Sequence, residues 1–433
     1  MRLERNQFQQ LMHAWAQHHP YNAMDLVELL RPADCQALSE AVAAELQACG
    51  IAQLRDEPDG WHYEFVPGPA QPLVEMVARP AGHSPLHALQ DYATAQMNQP
   101  FPPGPFLPVR FGVMPSERGH YVAMTYQHWL FDGLTAGQLF CRILTRYLGH
   151  RPAVGVGWCN YNTPPLRHLL RHWPGSAPWT VAALETIQKV IRSKQSLLPQ
   201  SGDWSDPRVQ VEWLHDGAGG LLERVVRFGR AHRASVNEVL SALVVDALAA
   251  ALAQESRQRR GRSVSVGGVA DLRRVVGPRL AAWPGMFLGG FYLWYRLPVP
   301  DDLGQIVAAQ RRQMQQIKRR RLVLGSGMEY WILRQLWRIV PASLRDWYFT
   351  RVVPLSGGLS NLHYPAHWYT PIAQAIGRYW RAVPSGPLTL LAVGVTTVQG
   401  RLSIALTTRV SGYTAEQRAV FRQRLLARLN QLG

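Results

Sequence analysis

Lysine is nearly absent from this sequence: Lys189, Lys194 and Lys318 are three of its 46 basic residues, and the rest are arginine. Only 29 residues are acidic, which leaves a formal charge of +17. Arginine suits phosphates and carboxylates, so nucleic acid, anionic lipid, the phosphates of coenzyme A or an acidic carrier protein could explain the excess. A solvated basic face explains it equally well. Because the basic residues are spread along the chain without a helix-turn-helix, zinc-finger or RNP-like pattern, we expect no nucleic-acid partner.

Cysteine and long apolar runs are also scarce. The four cysteines form no CxxC pair and have no metal-ligand spacing: Cys35, Cys49, Cys141 and Cys159. A disulfide framework or a metal site is therefore not expected, and a reducing cytoplasm is the natural location. The first residues hold no apolar signal core, and Asp246 interrupts the apolar run from 239 to 253. These features argue against export and against a membrane span.

The periodicity of apolar residues predicts alternating strands and helices over 433 residues, with a 47% hydrophobic share that can build a substantial core. A weakly periodic stretch rich in proline and tryptophan, from 151 to 206, is the best linker candidate. We place a domain boundary near residue 180, giving units 1–180 and 181–433. Capping patterns at Ser235 and Thr414 predict two helix starts in the second unit.

One loop in the first unit carries a possible catalytic group. A predicted strand over 121–128 ends on His128, Asp132 follows four residues later, and Gly133 lets the chain turn into an amphipathic helix over 134–148. A rigidly held histidine can remove a proton from an alcohol or amine that attacks a thioester. A histidine and an aspartate four residues apart are common, however, and a histidine at a strand end is more often structural.

The segment Gln127-His128-Trp129-Leu130-Phe131-Asp132-Gly133 resembles the HHxxxDG motif of the chloramphenicol acetyltransferase-like superfamily, which includes condensation domains, wax ester synthases and alcohol acyltransferases. Further segments resemble that superfamily in the same order along the chain: Ala234–Leu240 at a helix start, Val269–Arg273 at the end of a strand, Leu288–Gly290, Leu359–Leu362, and the hairpin 391–408. The agreement across most of the chain favours the functional interpretation of the loop.

The resemblance implies an α/β fold of two similar subdomains, each a mixed sheet with helices, which form a V-shaped cleft with a central tunnel. It implies that His128 is the general base and that Asp132 is a structural partner of an arginine, with Arg273 our choice and Arg274 the alternative. Gly133 would have a conformational role only. Ser360 and Asn361 would lie across the cleft near the acyl thioester, and Trp129 would contact substrate.

The sequence departs from the family pattern at Gln127, which replaces the first histidine, and it lacks the DFGWG motif of plant alcohol acyltransferases. The chain begins at Met1 and ends shortly after its last predicted helix, so we expect a free-standing acyltransferase. We also expect a monomer. Its co-substrate would be acyl-CoA or a phosphopantetheinyl carrier, with no bound cofactor. The alternative is a non-catalytic module of the same fold that binds a carrier protein or a membrane; a filled cleft at His128 would favour it.

Arginines and aromatic residues alternate from 318 to 351. Eight basic residues stand there against Glu329 and Asp346, interleaved with tyrosine, tryptophan and phenylalanine. This mixture fits a helix pair that lies on an anionic membrane or grips an acyl chain and phosphates, in which case a cytoplasmic protein would be membrane-associated. Equally, the aromatic residues could belong to the core and the arginines to a solvated face.

Overall fold

The described residues of the computed structural model are 2–432 apart from 67, 69, 71, 73, 79–81, 153–169, 173–176, 200–205, 215–219, 254–261 and 277–283, and the backbone alone is described for Arg274 and Asp346. Their strands are β1 (Arg2–Glu4), β2 (Asn22–Leu29), β3 (Gln53–Asp56), β4 (His62–Val66), β5 (Val74–Met76), β6 (Val109–Pro115), β7 (His120–Gln127), β8 (Val209–Leu214), β9 (Ser263–Asp271), β10 (Leu288–Arg296), β11 (Gly357–His363), β12 (Ile376–Ala382), β13 (Leu391–Val398) and β14 (Arg401–Arg409).

The helices are α1 (Gln7–His18), α2 (Cys35–Ala48), α3 (Pro85–Asn98), α4 (Gly133–Tyr147), α5 (Pro178–Ser193), α6 (Leu221–Ala231), α7 (Val236–Ala251), α8 (Arg273–Val276), α9 (Leu303–Arg319), α10 (Ser326–Ile339), α11 (Arg345–Val352), α12 (Ala366–Tyr369) and α13 (Ala415–Asn430). Short 3₁₀ turns lie at Leu322–Gly325, Ala342–Leu344 and Thr370–Ala375. The predicted caps form: Ser235 and Thr414 each begin a helix with a capping box.

Two mixed sheets carry the fold. The first has the order β12-β2-β7-β6-β5, and the second has the order β10-β9-β11-β13-β14-β8 within the described residues. Each combines parallel and antiparallel pairs, such as β5 with β6 and β6 with β7 in the first sheet. The architecture is therefore α/β with two subdomains built on mixed sheets, as predicted. A small sheet of order β1-β4-β3, which the sequence did not predict, contributes Leu3, Tyr63 and Phe65 to the core of the first subdomain.

The second half of the chain contributes one strand to the first sheet. β12 comes late in the chain, yet it pairs antiparallel with β2 and forms one edge of the first sheet, with Arg381 opposite Asp25. All eight residues of β2 are buried. The boundary near residue 180, which falls inside α5, stays a prediction, and the units it separates are linked by this strand.

The apolar core is divided in the same way. One cluster of buried residues lies around β2, β7 and α4 of the first subdomain and extends to α10 of the second. Another lies around α7 and α13. No single helix in the described part of the chain is long and apolar enough to cross a membrane; α6 and α7 reach that measure only as a pair bent by 97°.

Candidate active site

The loop that carries His128 begins where β7 leaves the first sheet. The His128 backbone N–H donates to the Tyr21 carbonyl at 3.0 Å, and the imidazole stacks on the Tyr21 ring with 6.0 Å between ring centroids. The imidazole reaches a cavity of about 140 Å³ between the two subdomains. Its wall includes Phe8, Tyr21, His128, Tyr292, Tyr330 and Ser360. Both halves of the chain thus meet at the predicted base.

The hydrogen bonding of His128 fixes which ring nitrogen is available. Nδ1 lies 3.0 Å from the Phe131 carbonyl oxygen. A carbonyl oxygen can only accept, so Nδ1–H donates and the proton of the neutral ring resides there. Nε2 then carries the lone pair. In the described part of the chain it has no hydrogen-bond partner, which leaves it available to an acceptor substrate in the cavity.

The surroundings of His128 keep its ring neutral. Burial lowers the pKa of His128 to about 4. The hydrogen bond to the Phe131 carbonyl opposes that shift, the Arg381 guanidinium acts in the same direction as burial, and Asp132 opposes it. The residue is partly exposed and lines the cavity. At neutral pH it is therefore unprotonated, which a general base requires.

Asp132 anchors the loop to the second subdomain. Its Oδ2 accepts from Arg273 Nη1 at 2.7 Å and from the Phe287 N–H at 3.0 Å, while Oδ1 caps α4 by accepting from the Thr135 N–H at 2.8 Å. The side chains of Asp132 and Arg273 are 1% and 2% exposed, so this ion pair is buried. The choice of Arg273 as partner is confirmed; the side chain of the alternative, Arg274, lies outside the described residues.

Gln127 and Trp129 stabilise the loop through contacts outside the cavity. Trp129 Nε1 donates to Gln127 Oε1 at 2.7 Å, and the indole is 1% exposed with the Arg5 guanidinium 4.7 Å from its ring centroid. Trp129 does not line the cavity. The expected substrate contact of Trp129 is wrong, because its side chain packs into the first subdomain.

Ser360 and Asn361 lie on β11, across the cavity from His128. Ser360 lines the cavity as predicted, and Asn361 does not. Successive side chains of a strand point to opposite faces, so two adjacent residues of β11 cannot both face the cavity. The expected position of Asn361 is corrected on this ground.

Arg381 is a site residue that sequence reasoning missed. Its guanidinium is 2% exposed, and Nη2 donates to Ser360 Oγ at 3.0 Å and to the Ser360 carbonyl at 3.1 Å. Nε donates to Thr396 Oγ1 at 3.3 Å. An arginine between apolar residues of a strand, as in Tyr379-Trp380-Arg381-Ala382, is the signal that could have found it, since a buried charge needs partners.

The charge balancing Arg381 comes from Asp25, opposite it on β2. Asp25 is fully buried and accepts from the hydroxyls of Tyr379 at 2.9 Å and Tyr364 at 3.2 Å. Burial raises the pKa of Asp25 to about 6, although Arg381 and both hydroxyls oppose that shift. A polar network therefore extends from the centre of the first sheet to the cavity wall.

Gly133 is required for space and not for conformation. It is the first residue of α4, and its φ lies outside the left-handed region. A Cβ added there would stand 2.4 Å from Leu362 Cδ1 on β11. The conformational role that the family resemblance implied is thus replaced by close packing between the motif loop and the second subdomain.

We expect Gly133→Ala to lower the free energy of unfolding by about 1–3 kcal/mol, as overpacked cores do. Urea unfolding would measure the change. In the double variant Gly133→Ala/Leu362→Ala the obstructing side chain is removed, so part of the loss should be recovered. A single variant as stable as the parent would contradict the packing role.

The architecture has counterparts among solved structures, although no protein-family model and no curated protein matches the sequence. The first condensation domain of the CDA synthetase is 17% identical, with a TM-score of 0.67 over 100% of this chain and 96% of that one. The EpoB cyclization-docking bidomain from Sorangium cellulosum is 12% identical, with a TM-score of 0.67 over 100% and 84%. Polyketide synthase associated protein 5 from Mycobacterium tuberculosis is 15% identical, with a TM-score of 0.62 over 100% of both chains.

The chain has the condensation-domain fold. This agrees with the resemblance to the chloramphenicol acetyltransferase-like superfamily that the motif segments carried. At this level of identity the likeness establishes the fold, and the chemistry has to be argued from the site.

One cluster of metal-ligand type lies elsewhere on the condensation-domain fold. His83, His87 and Asp91 are exposed at the start of α3, with ligand atoms within 4.8 Å of one another. None of them lines the cavity at His128. The cluster therefore has no place in the chemistry of that site.

Proposed function

We propose that this chain is an acyltransferase that moves an acyl group from a thioester to an alcohol or amine, with His128 as general base. The observation that carries the proposal is a neutral imidazole whose Nε2 has a free lone pair and faces a cavity formed by both subdomains. A non-catalytic module would need no such cavity, and the open space at His128 supports the enzymatic alternative.

The proposed reaction is a direct transfer. The acceptor O–H or N–H donates its proton to His128 Nε2 while the acceptor atom attacks the thioester carbonyl carbon. The tetrahedral intermediate then collapses, the carbon–sulfur bond breaks, and the leaving thiolate takes the proton back from Nε2. The protein forms no covalent bond with the acyl group.

Ser360 is suited to stabilise the intermediate. Its Oγ accepts from Arg381 Nη2 at 3.0 Å, so the hydroxyl proton is available to donate into the cavity. The guanidinium polarises that hydroxyl, which strengthens its hydrogen bond to a developing oxyanion. As negative charge grows there, His128 becomes a stronger base than it is in the empty cavity, because an adjacent anion raises the pKa of an imidazole.

Incubation with two donor panels would test the proposal. Acyl-CoA thioesters of increasing chain length and the same acyl groups on a phosphopantetheinyl carrier protein would be supplied with mixed alcohols and amines, and products followed by mass spectrometry. We expect consumption of one donor class, dependent on an acceptor, with the intact mass of the protein unchanged. Failure of every donor would refute the transfer, and a stable acyl-protein adduct would refute its direct course.

The pH dependence provides a second test of the base. Because the pKa of His128 is lowered to about 4, kcat/KM should stay level between about pH 6 and 8 and fall only toward pH 4. A histidine with the ordinary pKa of 6.5 would produce the fall near that pH. A pH profile of kcat/KM with an apparent pKa at that ordinary value would contradict a buried His128 as the titrating base.

Stability has to be followed over the same pH range. Because the pKa of His128 is lowered in the folded protein, the unfolded chain binds a proton at this residue at a higher pH than the folded chain does. The contribution of His128 to the free energy of unfolding is therefore complete above pH 6.5 and is lost as pH falls toward 4. Asp25 acts in the opposite direction: with a pKa raised from 3.8 to about 6, its contribution is complete below pH 3.8 and is lost as pH rises through 6. Circular dichroism at each pH separates unfolding from titration.

A further inference from the structure

Helix α5 has an apolar face that no described part of the chain covers. Its inward face holds Ala182, Thr186, Lys189 and Ser193. On the opposite face Leu184, Ile187 and Ile191 follow one another at helical spacing, and each is more than half exposed. An amphipathic helix normally buries such a stripe, so this helix is apolar on the side that faces away from the protein.

Helices α10 and α11 also have both buried and exposed apolar side chains. Their inward residues belong to the core: Tyr330, Leu333, Trp337 and Phe349. Other large apolar residues of this segment are exposed: Trp331, Ile339, Leu344 and Trp347. Some aromatic residues of the 318–351 region therefore belong to the core and others lie on the surface, and the membrane contact of this region stays a prediction.

These exposed residues lie on adjacent elements. α5 packs against α10, and Lys194, just after α5, donates through Nζ to the Arg351 carbonyl in α11 at 2.6 Å. We call the outer face the set Trp179, Leu184, Ile187, Ile191, Trp331, Ile339, Leu344 and Trp347. It holds eight of the 13 exposed large apolar residues in the described part of the chain. Such a concentration marks an interaction surface.

Basic side chains border the outer face. Arg192 and Lys194 are exposed at the end of α5, Arg338 at the end of α10, and Arg351 at the end of α11. The Arg351 guanidinium lies 4.7 Å from the centroid of the exposed Trp347 ring. Glu329, an acidic residue of α10, is buried in an ion pair with Lys189 at 3.1 Å and does not offset this charge at the surface.

We propose that the outer face docks on a membrane that contains anionic lipid. Isoleucine and leucine can enter the interfacial region of a bilayer, tryptophan favours the headgroup level, and arginine binds lipid phosphates. A symmetric contact with a second copy of this chain would place the four cationic residues opposite one another, which opposes self-association. The inference concerns binding and does not rest on the proposed acyl transfer.

The position of α10 connects this surface to the cavity. Tyr330 lines the cavity, and the neighbouring Trp331 belongs to the outer face. One helix, about 10 Å across, thus separates the proposed bilayer surface from the space at His128. A lipid-borne acyl chain or acceptor would need to cross only a short distance.

Sedimentation with vesicles tests the docking. The full chain would be mixed with vesicles of phosphatidylcholine alone and with vesicles of phosphatidylcholine and phosphatidylglycerol. We expect binding to the anionic vesicles that weakens with added salt. Ile187→Glu/Ile191→Glu should reduce it about tenfold or more, and Arg192→Gln/Arg338→Gln about fivefold for each arginine.

Matched controls come from exposed apolar residues outside the outer face. Met76→Glu/Val410→Glu changes two such residues and should bind vesicles as the parent does. Absence of binding to anionic vesicles, or equal binding by the Ile187→Glu/Ile191→Glu variant, would overturn the proposal. A dimer that light scattering detects in the parent and not in the Ile187→Glu/Ile191→Glu variant would also overturn the proposal. Binding of the outer face to an acidic carrier protein and not to vesicles would do the same. None of these measurements requires turnover.

Discussion

Replacing His128 by alanine is expected to lower the rate of acyl transfer by about 100- to 10,000-fold, the usual contribution of a general base. The reason is geometric: Nε2 is the ring nitrogen with a free lone pair, and it faces the cavity shared by both subdomains. The measurement is kcat/KM with whichever thioester the donor panels identify.

The fold should survive this change. The substitution removes one hydrogen bond to the Phe131 carbonyl, which contributes about 1 kcal/mol, and the melting temperature checks this directly. His363→Ala is the matched control, because His363 is exposed at the end of the strand that carries Ser360. Unchanged turnover in the His128 variant would remove this residue from the mechanism.

The second large effect concerns stability. Arg273→Met breaks a buried ion pair and leaves the Asp132 carboxylate without this cation, so it should cost about 3–5 kcal/mol of unfolding free energy. Asp132→Asn should cost less, because Arg273 Nη1 still has Asp271 Oδ1 at 3.1 Å. Asp132→Asn also weakens the bond that the Phe287 N–H donates across the subdomain junction. Urea unfolding monitored by tryptophan fluorescence gives the values.

A double-mutant cycle distinguishes pairing from general damage. Asp132→Asn/Arg273→Met contains no buried charge at either position, so its loss should be smaller than the sum of the single losses. Glu64→Gln is the control: it breaks the exposed pair with Arg55, 3.4 Å apart, and should change stability by about 0–1 kcal/mol. Additive losses in the double variant would show that the buried pair has no coupling energy.

The two experiments also separate a loss of catalysis from a loss of stability. Without His128 we expect a stable and inactive protein. Without the Asp132–Arg273 pair we expect an unstable protein whose activity falls because the loop that orients the imidazole is no longer anchored to the second subdomain. Their difference identifies Asp132 as a positioning residue.

Local features of the sequence predicted the site loop well. The strand predicted to end on His128 ends one residue earlier, at Gln127, and the helix predicted from residue 134 starts at Gly133. Both depend on residues a few positions apart, and the Thr135 N–H caps the helix through Asp132. The Asp132–Arg273 pair, 141 residues apart in sequence, came from the family resemblance. No local pattern could have supplied it.

The environment of the base was not predicted. Arg381 influences His128 because β12 pairs with β2, and that pairing joins residues more than 350 positions apart. Trp129 and Asn361 were misplaced for a related reason. Motif position identifies which residues lie near the site, whereas the face of the strand and the packing behind the loop decide which side chains reach it.

Because β12 lies late in the chain, the first sheet is completed late during synthesis. Until residue 382 has been synthesised, β2 is an open sheet edge, although in the finished protein all eight of its residues are buried. An exposed apolar edge is a template for pairing with another chain. The nascent first subdomain thus stays prone to aggregation until β12 has been synthesised, and the strand that closes the sheet also delivers Arg381 to the site.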